Sequence, residues 1–170
     1  MRCLTVGIML GAASLPLAVR AQAPTSIQAK EAPKAAGKET PKAYVPGLEQ
    51  FMNLILVEHN KLWFAAKARN WPLAEYQLGE IKEIMGDVQD FVPVFKNLPL
   101  AEMLDAVITK EIAMLEKSIE AKDYKAFTAG YDKLTQACNA CHQGTENAFV
   151  VITRPTRPAF TNQDYRPNKQ

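Results

Sequence analysis

Apolar residues recur every three or four positions in four successive segments of this 170-residue chain, which is the spacing of one helix face. Residues that begin helices stand between the segments: Asn70 and Asp123 suit N-caps, while Pro72 and Pro99 suit a first turn. The pattern therefore predicts four helices within residues 45–149. The predicted buried positions are Leu48, Phe51, Met52, Ile55, His59, Leu62 and Ala66; then Leu73, Tyr76, Ile81, Ile84, Val88 and Phe91; then Met103, Leu104, Val107, Ile108, Glu111, Leu115 and Ile119; and last Phe127, Tyr131, Leu134, Cys138 and Cys141.

The connections between these segments are short, and short connections make neighbouring helices run antiparallel. The expected fold class is therefore all-α, as an antiparallel up-down-up-down four-helix bundle. The stretch 150–170 contains three prolines, which exclude a further long helix. Its apolar residues predict a Pro-rich tail that packs on the bundle.

The N-terminus has the layout of an export signal. Arg2 precedes the uncharged run "LTVGIMLGAASLPLAV", and small residues lead to a plausible cleavage site after Ala21. Residues 1–21 are therefore predicted to be a signal peptide, with the protein exported to the periplasm. The alternative is a retained anchor, although the run is shorter than the roughly 20 apolar residues that span a bilayer. No membrane span is expected after cleavage.

Residues 22–44 are rich in Ala, Lys and Pro and have almost no large apolar side chains, so they are predicted to be a disordered linker. Removal of Arg2 and Arg20 with the signal would reduce 20 basic residues to 18, which equals the 18 acidic residues. Without a basic excess, nucleic-acid binding is not expected. Cys3 would also leave, so Cys138 and Cys141 would be the remaining cysteines.

The motif "CNACH" places Cys138, Cys141 and His142 on one face of the fourth helix, because positions i, i+3 and i+4 lie side by side. Two thiols at this spacing reach the two vinyl groups of a haem, and the adjacent imidazole then falls under the iron. The sequence therefore predicts one covalently attached haem c near the end of the fourth helix. The haem would also fill the bundle interior beside two small side chains.

Two other interpretations of the motif are weaker. A structural zinc site needs four closed ligands, which would take Cys138, Cys141, His142 and His59 together. A thioredoxin-like disulfide normally lies at a helix N-terminus near a βαβ pattern, whereas this pair lies about four turns into a helix.

An apparent signal peptide, four amphipathic helices and a Cys-x-x-Cys-His motif near the end of the last one resemble class II c-type cytochromes of the cytochrome c-prime type. The resemblance covers residues 45–149. The stretches "FMNLILVEHNKLWFAAKARNWPLAEYQLGEI" and "LTQACNACHQ" are also similar to a group of little-characterised exported c-type cytochromes. The resemblance implies haem attachment at Cys138 and Cys141, with His142 as the proximal iron ligand. It leaves the sixth ligand open, because family members differ there.

Three arrangements are possible at the sixth position. Counting inward from the paired ends of the first and fourth helices favours Met52, which would give a His/Met haem; the simpler interpretation of Met52 is a core gap-filler. His59 is the alternative ligand, or else a hydrogen-bonded core histidine. In the third arrangement the site is open, with Ile55 or Leu56 beside the iron.

These arrangements lead to different functions. A strong sixth ligand predicts electron transfer with a redox partner protein of unknown identity. An open or weakly held site predicts binding or sensing of nitric oxide or carbon monoxide. Catalysis is not expected, because the sequence shows no His–Arg pair for acid–base chemistry over an open iron. Pairing of the first helix could produce a homodimer, and Arg154 or Arg157 could pair with haem propionates.

Overall fold

The computed structural model describes residues 44–168 as an all-helical chain. In order, the helices are α1 (Leu48–Lys67), α2 (Trp71–Phe91), α3 (Leu100–Val107), α4 (Ala113–Glu120) and α5 (Tyr124–Gly144). A π-helical segment (Ile108–Ile112) joins α3 to α4 without a break, so these three pieces form one rod. Four helical rods result, with no strand among the described residues, and the all-α four-helix prediction is confirmed at this level.

The described residues do not include the predicted signal peptide (1–21) or nearly all of the predicted linker (22–44). Within residues 44–168, no helix combines the length and the apolar character that crossing a bilayer requires.

The helix starts lie where the cap residues predicted them. The Asn70 carboxamide oxygen accepts the Leu73 N–H at 3.3 Å and caps α2. The Asp123 carboxylate accepts the N–H groups of Lys125 and Ala126 at 2.9 and 3.0 Å and caps α5. These bonds satisfy backbone donors that have no partner inside the helix.

The end of α5 comes earlier than the sequence pattern predicts. The sequence pattern predicted four helices within residues 45–149, but α5 ends at Gly144. The chain turns because the Asn147 N–H donates to the His142 carbonyl at 2.7 Å, and Glu146 adopts a left-handed conformation with φ of 62°. The side-chain amide of Asn147 also donates to the Thr145 carbonyl and competes with continued helix.

The predicted buried positions are buried or half-buried in all four rods, except for two exposed residues of α2. Tyr76 is 60% exposed and Phe91 is 53% exposed. Gln77, the residue after Tyr76, is buried in its place. An apolar pattern cannot indicate a polar residue in the core. Phe91 is the last residue of α2, and its ring stacks on Phe51 with centroids 6.2 Å apart.

The contacts between α1 and α5 shift steadily along both helices. His59 contacts Tyr131 and Thr135, whereas Trp63, one turn later in α1, packs on Tyr131 and also on Tyr124 and Phe127, which come earlier in α5. The Trp63, Trp71, Phe127 and Tyr131 rings form a buried aromatic cluster at this level.

The chain after α5 returns along the helices and is held by side chains from them. Asn60 donates to the Arg157 carbonyl at 3.2 Å and accepts the Ala159 N–H at 2.8 Å. Asn70 donates to the Tyr165 carbonyl at 3.2 Å, and the Tyr165 ring is buried against Phe64.

Candidate functional site

A cavity of about 420 Å³ lies between α1, α3, α5 and the chain that follows α5. The five candidate side chains from the sequence, Cys138, Cys141, His142, Met52 and His59, all contribute to its wall. The rest of the wall is mainly apolar and comes from each of the four rods, the loop before α3 and the tail. It includes Leu48, Ile55, Leu56, Met85, Phe95, Leu100, Leu104, Val107, Ala137, Val150 and Ile152.

The motif residues occupy the last two turns of α5. Cys138, Cys141 and His142 are all half-buried, and both cysteines are free thiols. Burial raises the pKa of the Cys138 thiol to about 11, with a further contribution from the neighbouring Cys141, and burial also raises the pKa of Cys141. Both thiols are therefore protonated at neutral pH. A reactive disulfide exchanger would need a thiolate, so this environment does not favour the thioredoxin-like interpretation.

One ring nitrogen of His142 is fixed by a hydrogen bond. His142 Nδ1 lies 2.8 Å from the Val150 carbonyl oxygen. Because a carbonyl can only accept, Nδ1 carries the proton, and in the neutral imidazole the lone pair is left on Nε2. Metal-binding histidines typically use their second nitrogen in this way. The sequence did not indicate Val150, since it lies in an irregular segment without periodic spacing.

Met52 lies on α1 and is half-buried against the core. Ile55 and Leu56 follow it on the same stretch of the cavity wall; Ile55 is buried and Leu56 is exposed. The structure thus brings the predicted thioether ligand and the two predicted aliphatic neighbours to the same cavity as the motif.

His59 has partners for both ring nitrogens. Nε2 lies 3.0 Å from the Thr135 hydroxyl, and Nδ1 lies 2.9 Å from the Tyr131 hydroxyl. Because the Thr135 hydroxyl donates to the Tyr131 carbonyl at 2.9 Å, it accepts from Nε2–H, and the Tyr131 O–H is shared between Nδ1 and the His59 carbonyl, which lies 2.8 Å away. Burial lowers the pKa of His59 to about 4, so this imidazole is neutral at pH 7.

The remaining predictions about single side chains have mixed outcomes. Hydrogen bonds occupy both ring nitrogens of His59, and a four-ligand zinc site would need one of them, which disfavours that interpretation. Arg154 is not at the cavity: it binds Asp132, with Nη2 2.6 Å from Oδ1, and stacks on Trp63 at 4.6 Å. Arg157 does not line the cavity either.

Among residues 44–168, no three side chains of His, Cys, Asp or Glu converge into a metal-binding group of their own. Comparisons of the chain with protein-family models, curated proteins and solved structures find no match. The functional conclusion therefore rests on the residues of the site.

Proposed function

We propose that the chain is an exported monohaem c-type cytochrome that transfers electrons. Cys138 and Cys141 would hold one haem c through thioether bonds, His142 would be its proximal iron ligand, and Met52 its sixth ligand. The observation that carries this proposal is a single cavity whose wall contains two free thiols, an imidazole with an available Nε2, and a thioether.

The residues present fit a haem. The cavity volume of about 420 Å³ lies within the range of roughly 300–1,000 Å³ that is usual for ligand sites, and its wall is mainly apolar. Thioether formation requires reduced thiols, and both cysteines are free. Bound haem would supply an iron that takes up and releases one electron, with its potential set by the ligands and their surroundings.

The hydrogen bond to Val150 supports the proximal role of His142. It fixes the ring orientation, places the proton on Nδ1 and makes Nε2 a better donor toward iron. Cys141 and His142 lie three and four residues after Cys138, so the thioether bonds and the iron ligand would come from about one turn of the helix.

An antiparallel arrangement of α1 and α5 supports Met52 as the sixth ligand. Trp63, one turn after His59, reaches Tyr124 and Phe127, which lie earlier in α5 than the hydrogen-bond partners of His59, and antiparallel neighbours would show such a shift. Met52 precedes His59 by seven residues, which is about two turns or about 10 Å. The same distance beyond Tyr131 and Thr135 on α5 reaches the motif, so Met52 would be level with it.

The surroundings of His59 favour Met52 further. Ligation by His59 would require one ring nitrogen to leave either Tyr131 or Thr135, and a buried hydroxyl would lose a partner. Met52 has no such competing bond, and thioether ligation gives a six-coordinate haem suited to electron exchange.

Gas binding is the second candidate function. Ile55 and Leu56 share the wall with Met52, and either could stand beside the iron in place of a ligand. The iron would then have an open position for nitric oxide or carbon monoxide. The class II c-type cytochrome resemblance accommodates both functions.

An absorption spectrum of the reduced protein under carbon monoxide distinguishes these functions. We predict sharp low-spin bands that carbon monoxide leaves unchanged. Met52→Ala should convert the spectrum to a high-spin form that binds carbon monoxide, because it removes the thioether sulfur.

His59→Gln is the matched control, since an amide can still bond to Tyr131 and Thr135, and it should keep the parent spectrum. Conversion by His59→Gln alone would assign the ligand to His59. A high-spin parent that binds carbon monoxide would replace electron transfer with gas binding as the function.

A further inference from the structure

Residues 147–152 leave the turn after α5 and run back beside the cavity; we call this segment the strap. Its residues Asn147, Val150 and Ile152 form part of the cavity wall. The strap also carries the carbonyl that accepts the Nδ1–H of His142. The orientation of that imidazole therefore depends on what holds the strap.

Asn139 stands between the two cysteines of the motif and binds the strap with both ends of its side-chain amide. Its Nδ2 donates to the Ile152 carbonyl at 2.9 Å, and its Oδ1 accepts the Ile152 N–H at 2.7 Å. An adjacent antiparallel strand would supply the same pair of bonds to a backbone. Ile152 lies two residues beyond Val150, so this clamp fixes the strap on the C-terminal side of the accepting carbonyl.

The N-terminal side of the strap is fixed by a turn. The Asn147 N–H donates to the His142 carbonyl at 2.7 Å, and the Val150 N–H donates to the Asn147 carbonyl at 2.8 Å. The Val150 carbonyl is thus held between this turn and the Asn139 clamp. The turn depends on α5 itself, whereas the clamp depends on one side chain.

We infer that Asn139 is a positioning residue for His142, an inference that rests on the proposed ligand role of His142. The clamp keeps the Val150 carbonyl against Nδ1, which selects the tautomer whose lone pair is on Nε2. The bond to the carbonyl also makes the imidazole a stronger electron donor toward iron. Asn139 acts on the ligand only through the strap.

Asn139→Ala removes both clamp bonds and leaves α5 intact, because alanine is the better helix former. Asn139→Asp is nearly isosteric and keeps an acceptor for the Ile152 N–H, but it cannot donate to the Ile152 carbonyl. Asn60→Ala is the matched control. Asn60 makes the same type of clamp on a distant part of the tail, through Arg157 and Ala159.

Two measurements are made on the full chain without haem, in which Nε2 of His142 is not bound to iron, and they do not depend on redox activity. The rate of amide hydrogen exchange at Ile152 reports whether its N–H is hydrogen-bonded. The chemical shifts of the imidazole nitrogens report which nitrogen of His142 carries the proton. With Asn139→Ala, exchange at Ile152 should be about tenfold faster, as expected for a lost hydrogen bond. The His142 signals should also shift toward a mixture of tautomers. Asn139→Asp should give intermediate changes, and Asn60→Ala should leave both signals as in the parent.

The reduction potential of the haem-loaded protein provides the third readout. Loss of the clamp weakens electron donation by the imidazole, so Asn139→Ala should raise the potential, whereas Asn60→Ala should not. Parent-like exchange, tautomer and potential in both Asn139 variants would overturn the inference. A chain purified without covalent haem would refute the proposed function instead. Amide exchange at Ile152 and the tautomer of His142 would still decide whether Asn139 positions His142.

Discussion

His59 and His142 are the two histidines of the chain, and they differ in how their ring nitrogens are bonded. Both nitrogens of His59 have hydroxyl partners, whereas His142 uses Nδ1 for a backbone carbonyl and keeps Nε2 available. Sequence spacing could place both imidazoles on buried helix faces. It could not separate a satisfied core histidine from an available ligand, because the distinction depends on partners contributed by other segments.

The burial of His59 predicts a pH dependence of stability. Its pKa is about 4 in the folded chain and about 6.5 when unfolded, so the unfolded state takes up the proton first as the pH falls. The contribution of neutral His59 to the free energy of unfolding is complete above about pH 6.5. It decreases by up to about 3 kcal/mol as the pH falls toward 4.

Urea unfolding of the parent and of His59→Gln at several pH values between 7 and 4 measures this effect. The difference in the free energy of unfolding between the two proteins should shrink as the pH falls. Parallel pH profiles for parent and variant would show that His59 is not the group responsible.

The motif itself could be predicted from spacing, since Cys138, Cys141 and His142 share a helix face whenever that segment is helical. Met52 was favoured by counting inward from the paired ends of the first and fourth helices. Asn139 and Val150 could not be found in this way. Their contact joins a helix to an irregular segment, and the path of such a segment is set by individual hydrogen bonds.

At the scale of elements, caps and apolar spacing predicted four helical rods and most of their buried faces. The π-helical segment Ile108–Ile112 was not predicted, because it differs from the flanking helix only in backbone bonding. Two consecutive residues of this segment, Glu111 and Ile112, are both buried. The buried face of α2 was partly missed because Gln77 takes a core position and Tyr76 points outward.

The contact between α4 and α5 makes Gly130 sensitive to substitution. A Cβ there would lie 3.0 Å from Leu115 Cδ2, and Leu115 is completely buried and has little room to move. Gly130→Ala should therefore lower the free energy of unfolding by about 1 kcal/mol, because overpacking outweighs the better helix propensity.

Gly79→Ala is the control for this substitution. Gly79 lies within α2 and is exposed, and a Cβ at this position would meet no atom within 4 Å, so alanine should stabilise the fold by about 0.5–1 kcal/mol. Denaturant unfolding of both variants gives the comparison. Equal stabilisation by the two alanines would show that α4 and α5 are less closely packed at Gly130 than the structure indicates.

At the scale of the whole molecule, two kinds of core lie at different levels between α1 and α5. Aromatic rings around Trp63 and Phe127 are buried and pack against one another at one level. At the level of the motif the wall is formed by smaller side chains and encloses about 420 Å³. Close packing is the norm in protein interiors, and the covalently held haem that we propose would fill this apolar cavity beside two thiols.

The mass and colour of the purified protein test this account most directly. The chain is produced in a host that matures c-type cytochromes, and its intact mass is measured with its visible spectrum, beside a Cys138→Ser/Cys141→Ser control. We predict a coloured protein whose mass exceeds that of the polypeptide by one haem, and a control that gains no covalent mass. A colourless parent with the mass of the polypeptide alone would contradict the account.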